Sequence, residues 1–87
     1  MWLLLLACSV ENSCARAIDA AAACVASAGG AADVYDSPSI CGEWSADLES
    51  EWGAWYRCQA EVWEGSACAS VEDIDVAAGA AEACAVE

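Results

Sequence analysis

The sequence predicts a small all-α, disulfide-rich fold built on an antiparallel helical hairpin. Three observations predict it. Two stretches, about 13–28 and 43–64, carry apolar residues at helical spacing. Six cysteines are dispersed through them and their connections, at 14, 24, 41, 58, 68 and 84. Large apolar residues are few, because 22 of the residues counted as hydrophobic are alanine. A chain of this size buries only about 60% of its unfolded surface, so covalent staples are expected.

The first helix is predicted over 13–28. Asn12 or Ser13 can cap its opening amides. Cys14, Ile18, Ala21, Val25 and Ala28 recur at spacings of four and three and form one apolar stripe. Glu11, Arg16 and Asp19 fall off that stripe. Gly29-Gly30 supplies the stop, since glycine tolerates the left-handed conformation past a helix end. Alanine along this helix permits a neighbour to approach closely.

Residues 29–42 read as a connection rich in turn chemistry: Gly29-Gly30, Asp36-Ser37-Pro38-Ser39 and Gly42. It is long for a compact domain, so Cys41 is expected to tie it down. The second helix, 43–64, ends at Gly65. Trp44, Leu48, Trp52, Trp55, Tyr56, Val62 and Trp63 lie broadly on one face, with Glu43, Asp47, Glu49, Glu51, Glu61 and Glu64 on the wet side. Gly53 weakens the helix by up to ~1 kcal/mol relative to alanine and allows close packing. The tail, 66–87, has two readings. Ser70 with Asp73 can open a third helix through Ala85. Alternatively, Ile74 and Val76 alternate with acids as a short extended piece followed by a turn of helix.

In an antiparallel hairpin the start of helix one meets the end of helix two. That geometry pairs Cys14 with Cys58 and Cys24 with Cys41, and leaves Cys68 with Cys84 to close the tail. The two C-x9-C units, Cys14/Cys24 and Cys58/Cys68, also resemble the twin C-x9-C helical hairpins of the mitochondrial intermembrane space. That resemblance implies Cys14–Cys68 and Cys24–Cys58, with Cys41–Cys84 remaining. Cysteine spacing of C-x2–4-C, which structural zinc favours, is absent, as is the C-x-x-C of thiol redox enzymes. The sequence calls for no metal and no cofactor.

The net charge is −13, with Arg16 and Arg57 the only cations and no lysine or histidine. A nucleic-acid partner is excluded for want of a basic footprint. Attraction to anionic lipid headgroups is excluded on the same ground. Without histidine or lysine the usual nucleophile–base pairs are missing, and an enzyme is not expected. Glu72, Asp73 and Asp75 offer oxygen ligands but lack the glycine and distal glutamate of an EF-hand loop, and read as a solvated turn.

The seventh cysteine, Cys8, stands at the end of an apolar run. Residues 1–7 look like the end of a secretory signal. Leu5-Leu6-Ala7-Cys8 resembles the lipobox of bacterial lipoproteins. By that resemblance Cys8 carries a lipid after cleavage behind Ala7, residues 8–12 form the lipidation site and tether, and 13–87 form the acidic stapled domain. Ser9 next to the cysteine then favours the outer membrane of a Gram-negative cell. With six dispersed cysteines, the whole resembles small cysteine-rich bacterial lipoproteins.

The tryptophans are expected mainly in the core, with Trp63 and Tyr56 as candidate contacts for a protein or glycan partner. The expected function is that of an exported cell-envelope lipoprotein. It is anchored to the membrane through Cys8 and acts as a non-enzymatic structural or interaction module. The alternative is a soluble secreted disulfide-rich binding protein, inhibitor or effector without an anchor, in the extracellular space.

Overall fold

The computed structural model describes residues 11–84. The segment 1–7 read as signal-like and the lipidation expected at Cys8 lie outside them. Four helices follow in order: α1 (Ser13–Ser27), α2 (Ser37–Cys41), α3 (Ala46–Glu64) and α4 (Val71–Glu82), with no strand among the described residues. The all-α, disulfide-rich class is as expected.

Local chemistry sets the helix ends. Asn12 caps α1, its side chain accepting from the Ala15 amide. Beyond Ser27, Gly29 takes φ +87°, a conformation a side chain would strain, and Gly30 N–H reaches back to Val25 O at 2.9 Å. Ser45 caps α3 through Leu48 N–H, so this helix starts three residues later than the apolar pattern suggested. Ser70 caps α4 through Asp73 N–H. The tail is therefore helical: Ile74 packs on the core and Val76 faces solvent. The connection contains the short helix α2, opened by Pro38 in its first turn and closed at Gly42.

The direction of the main helix pair departs from expectation. The start of α1 lies against the start of α3, where Ser13 N–H donates to Glu49 at 2.9 Å. The end of α1 lies by the end of α3, where Ala21 and Cys24 cluster with Trp63. The two long helices thus run parallel. The chain can do this because 18 residues separate Ser27 from Ala46. Fully extended they would reach about 60 Å, far more than the length of α1. The antiparallel hairpin exists elsewhere. The short turn after Gly65 folds α4 back along α3, bringing Cys84 beside Cys58 and Trp55.

The bridges follow this topology: Cys14–Cys41, Cys24–Cys68 and Cys58–Cys84, with Cα separations of 5.9, 5.0 and 6.0 Å. Neither expected set is formed. Cys14–Cys58 and Cys24–Cys41 presupposed that the two long helices run in opposite directions. Cys14–Cys68 and Cys24–Cys58, taken from the twin-hairpin resemblance, presupposed the same. Cys41 instead returns the connection to the start of α1, and Cys68 meets the end of α1 just past α3. Cys84 therefore pairs with Cys58 and not with Cys68.

The core is made of small residues. Cys14, Ala17, Ala21, Cys24, Val25, Ala60, Cys68, Ala77 and Ala81 are buried, and Trp63 is the one large side chain among them. The five alanine methyls together contribute about 4 kcal/mol at ~0.8 kcal/mol per carbon. Closing loops of 26 to 44 residues is worth about 3.5–4 kcal/mol per bridge on the chain-entropy account. The bridges therefore outweigh the alanine methyls as a source of stability.

Candidate functional site

The alanine-lined seam between α1 and α3 leaves no space for bulky side chains. Trp44, just before α3, and Trp52, Trp55 and Tyr56 on it are only partly buried, and their ring-to-ring contacts form a continuous aromatic ledge. Trp52 packs edge-on to Trp55 at 6.2 Å between ring centroids, Trp55 to Tyr56 at 4.8 Å, and Tyr56 to Trp44 at 5.6 Å. Trp52 is 37% exposed and the other three are partly exposed. Edge-to-face contact is the arrangement the ring quadrupoles favour.

Two of the rings are held by hydrogen bonds at their polar edges. Trp55 Nε1 donates to the carbonyl of Cys84 at 3.0 Å, a residue itself bridged to Cys58. Trp44 Nε1 donates to Glu49 at 2.7 Å. Glu49 is the centre of a polar clasp joining α1 to α3. Its carboxylate also accepts from Ser13 N–H, from Ser13 Oγ–H and from Arg57 Nη1 at 2.7 Å. Only 13% of the Glu49 side chain is exposed. Burial alone would raise its pKa. The hydrogen bonds from Ser13 and Trp44, with the charge of Arg57, outweigh that and hold it below the ordinary glutamate value of 4.5.

The clasp packs against Gly53. Glu49 and Arg57 are eight residues apart on one helix, and the ion pair passes over the glycine between them. A Cβ there would collide with the Glu49 carboxylate and lie 2.8 Å from Arg57 Nη1. Ser13 is buried with its hydroxyl fully engaged, so it serves as a strut. Arg16 forms a two-pronged pair with Glu64, at 2.7 and 3.0 Å. That contact raises the arginine pKa and lowers the glutamate's. Both arginines of the chain are thus paired with carboxylates, and most acids have no cation to meet.

The candidate residues separate clearly. Tyr56 sits in the centre of the ledge. Trp63, expected as a contact, is 8% exposed and anchors the core between α1 and α4. Trp44, Trp52 and Trp55, expected as core, are the partly exposed ones. The acidic cluster is divided: Asp73 accepts from Ala69 N–H at the entry of α4, while Glu72 and Asp75 are exposed. Among the described residues, no group of three potential ligands is placed to hold a metal ion. An open groove of about 310 Å³ runs past the Cys24–Cys68 bridge, lined by Ala20, Ser27, Trp63 and Ser66. The polar clasp is not predicted by the sequence pattern, since its partners Ser13, Trp44, Glu49 and Arg57 lie on separate segments or turns.

No family model, curated protein or solved structure matches this chain.

Proposed function

We propose that this chain is an exported, lipid-anchored cell-envelope protein whose stapled domain is a non-enzymatic interaction module working through the aromatic ledge. One observation carries the reading. Four aromatic side chains are ordered and partly exposed in a chain whose core is starved of large apolar groups. Folding for stability alone favours burying them, as Trp63 is buried. Aromatic residues held rigidly at a surface are characteristic of contact sites, because little freedom is lost on binding.

The cysteines support this compartment. Three disulfides suit an oxidising environment and are uncommon in the cytosol. No helix among the described residues is long and apolar enough to cross a membrane. A lipid on Cys8, the cysteine outside the three bridges, would supply the attachment, and Ser9 would direct it to the outer membrane. The domain then stands off the membrane, its negative charge keeping it away from anionic headgroups.

The test is fractionation of cells of a Gram-negative host expressing the chain with its own N-terminal segment. The expected result is protein in the outer-membrane fraction, and release of Cys8→Ser to the soluble fraction with its bridges intact. Membrane retention of Cys8→Ser would overturn the anchor. Wild-type protein found soluble would favour the secreted, unanchored form of the same module.

A further inference from the structure

We infer that the aromatic ledge on α3 is a docking surface for a cationic polypeptide segment, whose lysine or arginine side chains seat against the rings. The inference rests on reading the ledge as the contact site and names its partner class. It is carried by charge complementarity. Asp47 and Glu51 are one helical turn apart, and Trp55 follows one turn further along the same row. The neighbouring row holds Leu48, Trp52 and Tyr56. Asp47 and Glu51 are exposed, and neither is paired with an arginine, both of which are engaged elsewhere. The surface therefore offers a partly exposed ring, Trp52, with its aromatic neighbours, and unneutralised carboxylates close by.

That combination suits a cation with an apolar stem. Guanidinium and ammonium groups are attracted to tryptophan faces, and an adjacent carboxylate adds a charge-assisted hydrogen bond. The other occupants fit less well. A second copy would bring another net charge of −13 against the same carboxylates. A neutral glycan would stack on the rings but make no use of the missing counter-charge. The ledge is also pre-shaped, since Trp44 and Trp55 are hydrogen-bonded in place and Cys58–Cys84 ties the adjoining helix beneath them.

The test measures binding of a fluorescein-labelled octa-arginine peptide to the oxidised full chain, as a function of salt. Three variants are compared, each checked by circular dichroism and by an unchanged count of three bridges. Trp52→Ala removes the most exposed ring. Asp47→Asn with Glu51→Gln neutralises the row beside it. Glu72→Gln with Asp75→Asn removes the same charge from α4, away from the ledge, and likewise takes one acid from a helix first turn. The expected result is a loss of about three- to tenfold for Trp52→Ala. The Asp47/Glu51 variant should lose at least as much, and the Glu72/Asp75 variant much less. Equal losses in the two charge variants, with none in Trp52→Ala, would overturn the inference as diffuse electrostatics. Absence of peptide binding would overturn it too, as would a chain that self-associates through Trp52 or binds chitohexaose there instead. None of these outcomes bears on fractionation of Cys8→Ser, so failure of the partner class and failure of the anchor are separately visible.

Discussion

Glu49 shows how a single residue can organise an acidic protein. Most of the carboxylates face water, where each is satisfied cheaply. Glu49 is drawn between two helices because four donors converge on it: two from Ser13, one from Trp44 and one from Arg57. Buried charge is tolerated only when it is paired and hydrogen-bonded. Its pKa in the folded state lies below 4.5, so the folded state binds the proton less readily than the unfolded chain. The stabilisation it contributes is complete above the unfolded value and is lost as pH falls through the folded one. Chemical denaturation should therefore show stability falling as pH is lowered below about 4.5, with a smaller fall in Glu49→Gln, which is already weakened at neutral pH. Equal acid sensitivity in the two proteins would show that the clasp is not the titrating element. The sequence did not reveal this residue, because its donors come from positions 36 residues upstream, five upstream and eight downstream.

At the scale of the helix, caps and ends were legible because they are local. Asn12, Ser70 and Gly29 act within a few residues of themselves, and their side chains or conformations suffice. Which face of α3 turns inward was not legible. The aromatic residues look like a core stripe, yet the residues of α1 and α3 that are buried include Ala17, Ala21, Gly53 and Ala60. Small residues won the interface because α1 offers mostly alanine to pack against, and only Trp63, near the end of the pair, finds a pocket. Gly53 makes the point testable. In an exposed helix interior, glycine to alanine stabilises by roughly 1 kcal/mol. Here Gly53→Ala forces Glu49 and Arg57 apart, and charge-assisted hydrogen bonds contribute about 1.5–3 kcal/mol each. The substitution should lower the unfolding free energy by about 1–2 kcal/mol. A rise in the thermal midpoint would mean the ion pair re-forms around the methyl at little cost.

For the molecule as a whole, the class was visible in composition and the topology was not. Few large apolar groups and six dispersed cysteines imply a small stapled domain, and three bridges hold it together. The route of the chain depended on the 28–45 connection, whose length allows either direction for α3. Short connections make neighbouring helices antiparallel. This one contains its own helix, doubles back along α1 and is bridged to its start by Cys14–Cys41. No spacing of cysteines encodes that choice, because a bridge reports proximity that the fold has already created. The parallel α1–α3 pair buries its alanines, and the aromatic residues are left partly exposed where binding is proposed.

The pairing of the six cysteines thus tests the architecture most directly. Digestion of non-reduced protein with a glutamyl endopeptidase places Cys14, Cys24 and Cys41 in 12–43, Cys58 in 52–61, Cys68 in 65–72 and Cys84 in 83–87. Mass spectrometry should find two linked species: 12–43 joined to 65–72, and 52–61 joined to 83–87. Further cleavage after Arg16 should leave 12–16 attached to 17–43. Finding 12–43 joined to 52–61 and 65–72 joined to 83–87 would contradict the parallel pair and restore an antiparallel one. A single species containing all four peptides would contradict it as well.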